Sequence, residues 1–167
     1  ALAAQDAILN SLLDISRMES GQLEVHVRDV PLGPLLQVLG HNFGVLAESQ
    51  GLQLRCVPTR AVVRTDENLL RRILQNFVSN AIRYSRRGRI VVGCRRVKRV
   101  DGNHLRIEVH DQGPGIPEAL QREIFEEFRR LDEGRADDRG AGLGLAIVER
   151  LGRLLGHEIG LRSQLGR

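Results

Sequence analysis

Two glycine clusters constrain the fold of this chain more than its composition does. Asp111-Gln112-Gly113-Pro114-Gly115-Ile116-Pro117 follows a run of alternating apolar residues, and Gly140-Ala141-Gly142-Leu143-Gly144-Leu145 runs straight into a helical pattern. Glycine supplies backbone that can adopt positive φ or pass close to another group. The first cluster therefore reads as the loop leaving a strand and the second as the entry to a helix. A mixed α and β domain follows.

Periodicity fills in the elements. Leu70, Ile73, Leu74, Phe77, Val78 and Ala81 form the apolar side of a helix over about 66–85, with Asp66 as its cap. Arg89 to Val97 and His104 to His110 alternate as antiparallel strands joined around Asp101-Gly102-Asn103, and the second delivers Asp111 to its end. Upstream, Leu23 to Val30 reads as a short strand and Pro34 to Ser49 as a helix closed by Gly51. Leu52 to Val57 and Val62-Val63-Arg64 read as two further strands. Pro117-Glu118 can start a short helix, with Ile124, Phe125 and Phe128 as a small apolar cluster. Residues 131–140 hold acids, arginines and glycines with almost nothing to bury, and read as a loop free to move over a ligand. Ala146, Ile147, Leu151, Leu154 and Leu155 continue a helix that Gly156 stops, and His157 to Ser163 reads as a last strand. The opening stretch, from Leu2 through Ile8, Leu9, Leu12, Leu13 and Ile15, reads as a helix ending at Glu19-Ser20-Gly21. Its apolar stripe suits either one arm of a hairpin or dimer interface, or packing against the main domain.

A length of 167 residues fits one compact domain plus an appendage, and 41% apolar content is enough for a core. Lys+Arg of 25 against Asp+Glu of 21 gives +4, too modest a balance to establish a nucleic-acid partner. Lys98 is the only lysine, so phosphate contacts would fall to arginine, and no G-x-x-x-x-G-K-[ST] string is present. Cys56 and Cys94 lack C-x-x-C spacing and read as reduced core residues. No apolar run approaches the roughly 18 residues that span a bilayer, and the amino end lacks a signal-peptide layout. The chain reads as cytoplasmic, from a parent protein that could be membrane-anchored.

The chemistry-bearing residues fall on these elements. Asn76, Asn80, Arg83 and Arg87 follow i, i+4, i+7 and i+11 spacing, so at least the first three share one helix face. Alternating glycines that open a helix suit phosphate binding, and glycines beside an acid at a strand end let backbone come close to a ligand. Together the two clusters point to a nucleotide.

Asn-x-x-x-Asn, Asp-x-Gly-x-Gly, Phe-x-x-Phe and Gly-x-Gly-x-Gly occur in that order, after the segment Leu12-Leu13-Asp14-Ile15-Ser16-Arg17-Met18-Glu19-Ser20-Gly21. This conjunction closely resembles the catalytic ATP-binding domain of sensor histidine kinases, of the GHKL or Bergerat type, over roughly residues 8–167. Residues 74–85 look like that family's N box, Asp111 to Pro117 its G1, Phe125 to Asp132 its F box and Gly140 to Val148 its G2 box. The resemblance implies an α/β fold, a two-layer sandwich of a mixed β-sheet and α-helices, preceded by an N-terminal helix. It makes residues 1–21 the end of the dimerisation and phosphoacceptor hairpin, and residues 22–167 the catalytic domain, ending before its final strand.

The resemblance also implies roles. Asp111 would recognise adenine, with Gly113 and Gly115 letting the main chain pass close to the base. Asn80 would be the Mg2+ ligand, supported by Asn76 one turn earlier. Arg83 and Tyr84 match a basic and an aromatic position near the phosphates, although Arg83 also suits a solvated surface and Tyr84 the end of the core. Arg130 would stabilise the γ-phosphate. Gly140, Gly142 and Gly144 would turn backbone amides toward the phosphates, with Leu143 and Leu145 anchoring the lid end. ATP-hydrolysing relatives carry a glutamate where this chain has Asn76, and an amide cannot act as a general base.

A histidine kinase needs an acceptor, and none of the histidines here fits one. His26, His41 and His104 are not followed by Glu or Asp, while His110-Asp111 closes the second hairpin strand and His157-Glu158 lies in the expected last strand. The expected cofactors are ATP and Mg2+. The expected partners are a histidine-bearing dimerisation domain of the same parent, itself a homodimer, and a response-regulator receiver domain, with no nucleic acid and no membrane contact. On that expectation the chain does not autophosphorylate alone. The alternative is a non-enzymatic ATP-sensing module of the same fold.

Overall fold

The expected alternation becomes two small sheets. The structure, a computed structural model, describes residues 16, 20–21, 23–126 and 143–165. These fall into two bodies, one of residues 26–115 and a second that holds 116–126 and 143–165. The expected N-terminal helix, Phe128, Arg130, Gly140, Gly142 and the 131–140 segment lie outside the described residues.

In the first body, β1 (Arg28–Pro31) pairs antiparallel with β3 (Val62–Thr65), Val30 opposite Val63. The larger sheet has the order β2-β4-β5, formed by Leu52–Cys56, Gly88–Arg99 and Gly102–His110. β2 runs parallel to β4, with Leu52 opposite Gly88, and β4 and β5 form an antiparallel hairpin. The sheet is mixed, as expected. Parallel pairing needs a crossover, and β3 and a helix, Glu67–Tyr84, lie within it.

Two helices make the second layer. α1 (Leu32–Ser49) packs on β2, and α2 (Glu67–Tyr84) packs on α1, β4 and β5. α2 forms where its apolar stripe and its cap agree. Asp66 Oδ1 accepts the amides of Asn68 at 2.9 Å and Leu69 at 3.0 Å, answering two of the donors that a helix start leaves unpaired. Glu67 in the first turn adds a favourable charge and pairs with Arg28 and with Arg71. The core between the layers joins Leu35, Leu36 and Leu39 of α1, Leu70, Leu74, Val78, Ala81 and Ile82 of α2, and Leu52, Ile90 and Val92 of the sheet. Each large apolar side chain fully buried there contributes about 1.5–3 kcal/mol. Cys56 and Cys94 are free thiols that pack against this core, and burial pushes the Cys56 thiol up.

Three expectations shift in this body. The strand expected from Leu23 begins at Arg28, because only residues 28–31 find partners on β3, and Val27 is exposed. Phe77 is half-buried, while Leu69 and Ile82 join the buried side of α2. Arg87 lies past the helix, whose C-cap is Ser85, so it does not share the Asn76 face.

In the second body, residues 118–125 form two short 3₁₀ turns, Glu118–Leu120 and Glu123–Phe125, where one short helix was expected. α3 (Gly144–Leu155) packs against the second of them. Gly156, in the left-handed region at φ 67°, ends α3. The His157 amide bonds the Gly152 carbonyl at 2.8 Å and the Gly156 amide bonds that of Arg153 at 3.1 Å, the paired pattern of a Schellman stop.

The expected strand His157 to Ser163 is corrected. These residues carry no strand pairing among the described residues. Their contacts run through side chains instead: a Cβ on Gly152 would lie 2.5 Å from Ile159 Cγ1, and Ser163 Oγ accepts the Ile116 amide at 2.8 Å.

Candidate nucleotide site

α2 presents the expected polar face. Asn76 and Asn80 are half-buried and one turn apart, and Arg83 is exposed one turn further on. Asn76 Nδ2 donates to the Arg72 carbonyl at 3.0 Å, a bond that uses the donor end of the amide and leaves the acceptor role to its oxygen. Tyr84 is 40% exposed, so it does not finish the core. Its backbone has a different contact: a Cβ on Gly113 would lie 3.4 Å from the Tyr84 carbonyl oxygen. The C-terminal end of α2 thus lies against the first glycine of the motif that follows β5.

That motif is built on Asp111, exposed just past the last residue of β5. Asp111 Oδ1 accepts the Gly113 amide at 2.8 Å, a turn in which the side chain stands in for backbone. One carboxylate oxygen is thereby engaged, on a side chain that is exposed. Gly115 sits at φ +79°, a conformation that residues with a Cβ rarely adopt. The loop therefore carries an acceptor and nearby bare main chain. Both suit a planar base with an amine.

The remaining described members of the second cluster start α3. Leu143 is the N-cap, 2% exposed, and makes no side-chain cap bond, and the first turn carries no acid. Gly144 and Leu145 are half-buried in that turn. The amides of an uncapped first turn and the positive end of the helix dipole make this a place that favours an anion.

An open cleft of about 420 Å³ in the second body is lined by Ile116, Glu118, Gln121, Leu161, Arg162, Ser163, Gln164 and Leu165, and holds none of the expected site residues. Gln121 Nε2 crosses it, bonding the carbonyls of Ile116 at 3.0 Å and Ser163 at 3.1 Å. Among the described residues no group of three or more His, Cys, Asp and Glu could hold a metal ion. Two histidines are engaged elsewhere: His104 pairs with Asp101 at 2.9 Å and His110 with Glu108 at 3.1 Å. His157 is half-buried, and desolvation lowers its pKa. Sequence reasoning attached no role to Gln112, whose side chain reaches back to β4; a long amide beside a strand end was the available signal.

The sensor histidine kinase TmoS of Ectopseudomonas mendocina is 34% identical over 143 residues, covering 84% of this chain and 14% of that protein. The autoinducer 2 sensor kinase/phosphatase LuxQ of Vibrio vulnificus strain CMCP6 is 33% identical over 165 residues, covering 95% of this chain and 19% of that protein. The crystal structure of full-length ShkA in complex with AMPPNP superposes with a TM-score of 0.81 at 30% identity, covering 96% of this chain and 33% of that one. The chain spans a fifth or less of the length of these two sequence relatives. Residues 65–167 match the family described as histidine kinase-, DNA gyrase B-, and HSP90-like ATPase, which is more than half of the chain. With that match beside the mixed sheet and the helix layer, this chain belongs to that family.

Proposed function

We propose that this chain is the ATP-binding catalytic domain of a sensor histidine kinase. It would transfer the γ-phosphoryl group of MgATP to a histidine on a dimerisation domain, for two-component signalling. The observation that carries the reading is Asp111, an exposed carboxylate whose Oδ1 is engaged by Gly113 and whose loop lies against the end of the helix bearing Asn76 and Asn80. In this reading Asp111 Oδ2 accepts from the adenine amine, and the main chain at Gly113 and Gly115 passes close to the ring. Guanine has no amine at that position.

The asparagine face fits Mg2+. Side-chain carbonyls are hard, neutral donors, and a magnesium ion that keeps its waters and bridges phosphates needs only one or two of them. The Asn80 side-chain oxygen is the proposed donor, and Asn76, whose amide donates to the Arg72 carbonyl, supports it from one turn earlier. When bound, Mg2+ neutralises charge developing on the phosphate oxygens. Arg83 and Tyr84 belong to the phosphate end, Arg130 to the γ-phosphate, and Gly140, Gly142, Leu143, Gly144 and Leu145 to the phosphate-facing lid. Residues 1–21 would be the end of the dimerisation hairpin.

The protein's share of the chemistry is positioning and electrostatics. The bond from the γ-phosphorus to the β,γ-bridging oxygen breaks, ADP leaves with that electron pair, and a neutral imidazole nitrogen forms the new P–N bond. Asn76 favours this course over hydrolysis, since it cannot take a proton from water. A response regulator is the expected recipient of the phosphoryl group. Among the described residues no helix is long and apolar enough to cross a membrane.

The test is incubation of the 167-residue chain with γ-labelled ATP, alone and with the parent's histidine-bearing hairpin. Label on the hairpin histidine is expected and depends on Mg2+. Label on this chain alone, or no adenine-nucleotide binding, overturns the reading.

A further inference from the structure

We infer that Gln112 is a positioning residue for the adenine-binding loop: its side-chain carbonyl continues the β4–β5 ladder where the backbone leaves it. The inference rests on the ATP reading above. The antiparallel ladder runs from Arg99 opposite Gly102 to Val91 opposite His110. One more pair of steps in that register sets Arg89 opposite Gln112. β5 has ended at His110, and the main chain turns off into the Asp111 loop. Gln112 Oε1 nonetheless accepts the Arg89 amide at 2.8 Å, so a side-chain carbonyl serves where a ladder carbonyl would have been.

Gly88 makes room for this contact. A Cβ at position 88 would lie 2.1 Å from Gln112 Oε1, and Gly88 sits at φ +102°. Any side chain there would displace the amide head of Gln112.

Three attachments then define the loop. Gln112 holds it to β4, Asp111 closes its turn on Gly113, and Gly113 lies against the backbone of Tyr84 at the end of α2. A loop fixed at both edges gives up less freedom when a base docks on it. Loss of one such hydrogen bond corresponds to about a three- to tenfold change in affinity.

The experiment compares the 167-residue chain with Gln112→Leu, which keeps bulk but removes the acceptor, and Gln112→Glu, which keeps an acceptor oxygen. Calorimetric titration gives the affinities for MgATP and MgADP, and NMR gives the exchange rate of the Arg89 amide without nucleotide. Gln112→Leu should bind both nucleotides three- to tenfold more weakly and to the same extent, since the loop serves the base, and should exchange Arg89 faster. Gln112→Glu should restore both readouts to near those of the parent. Parent-like affinity in Gln112→Leu, a Gln112→Glu as weak as Gln112→Leu, or free exchange of Arg89 in the parent overturns the role. If Gln112→Leu unfolds, the parent exchange rate and the Gln112→Glu affinity decide. Slow Arg89 exchange in a parent chain that binds no adenine nucleotide sinks the ATP reading, and this inference with it. Tight binding with free exchange sinks only the role of Gln112.

Discussion

Asp111 Oδ1 receives the Gly113 amide at 2.8 Å, so the residue expected to read the base also shapes its own loop. The two duties separate by substitution. Asp111→Asn keeps a carbonyl oxygen for Gly113 but presents an N–H to the adenine amine, whereas Asp111→Ala removes both acceptors. Each should lose at least tenfold in ATP affinity, from about 1.5–3 kcal/mol for a hydrogen bond to a charged group. Only Asp111→Ala should also speed exchange of the Gly113 amide. Titration calorimetry and amide exchange on both variants test the pair, and parent-like binding by Asp111→Asn would refute base recognition.

Asn80 should matter only when the cation is present. Asn80→Ala should weaken MgATP binding about tenfold and leave metal-free ATP binding little changed, because the lost group is a neutral oxygen donor. Titrations with magnesium and with a chelator read the difference. An equal loss under both conditions would place Asn80 on the nucleotide rather than the ion.

Asp66 ties the approach to β1 to the start of α2. Besides the two cap bonds, its Oδ2 accepts the His26 amide at 2.8 Å. Asp66→Ala should cost about 1–2 kcal/mol in urea unfolding, the range of a lost cap. Burial pulls this carboxyl's pKa upward, but the amides of His26, Leu69 and Asn68 outweigh it and leave the pKa below its ordinary value. A depressed carboxyl contributes stability that is fully present above the unfolded value of about 3.9 and is lost as pH falls below it. Unfolding free energies measured from pH 6 downward should show a steeper fall in the parent than in Asp66→Asn.

Gly156 should resist replacement. At φ 67° a Cβ adds about 1–2 kcal/mol of strain. There is open space around the position, so crowding adds nothing. Gly156→Ala should therefore lower stability by that amount, and Gly156→Asn by less, in thermal or urea melts. An unchanged melt in Gly156→Ala would mean the α3 stop can adopt another form.

Legibility in the sequence followed the number of independent signals. α2 carries an apolar stripe, a cap and an acidic first turn, all pointing to one register, and its expected span differs from the observed one by a residue at each end. The β4–β5 hairpin was readable for a like reason: alternation on both arms and a turn glycine. Alternation alone was a poor guide. Leu23 to Val27 and His157 to Ser163 have the pattern of strands, but a strand exists only where a partner offers its amides and carbonyls, and no local pattern encodes that partner. At the site, residue types at motif spacing marked Asn76, Asn80 and Asp111. The contacts that orient them, Asn76 on Arg72, Gln112 on Arg89 and Gly113 under Tyr84, depend on how chain segments meet in space.

β4 is shared by two pairings that differ greatly in what it costs to form them. Its hairpin with β5 closes between Arg99 and Gly102, near neighbours, while its parallel partner β2 sits across a connection that contains β3 and α2. The entropy of closing a chain loop makes the first pairing quick and the second slow. Kinetically, Ile107→Val in the hairpin should slow folding, and Leu52→Ala in β2 should chiefly speed unfolding, as stopped-flow chevrons would read. The strand that leads into Asp111 is then laid down early, and the helix that carries Asn76 and Asn80 gains its full sheet only when β2 docks.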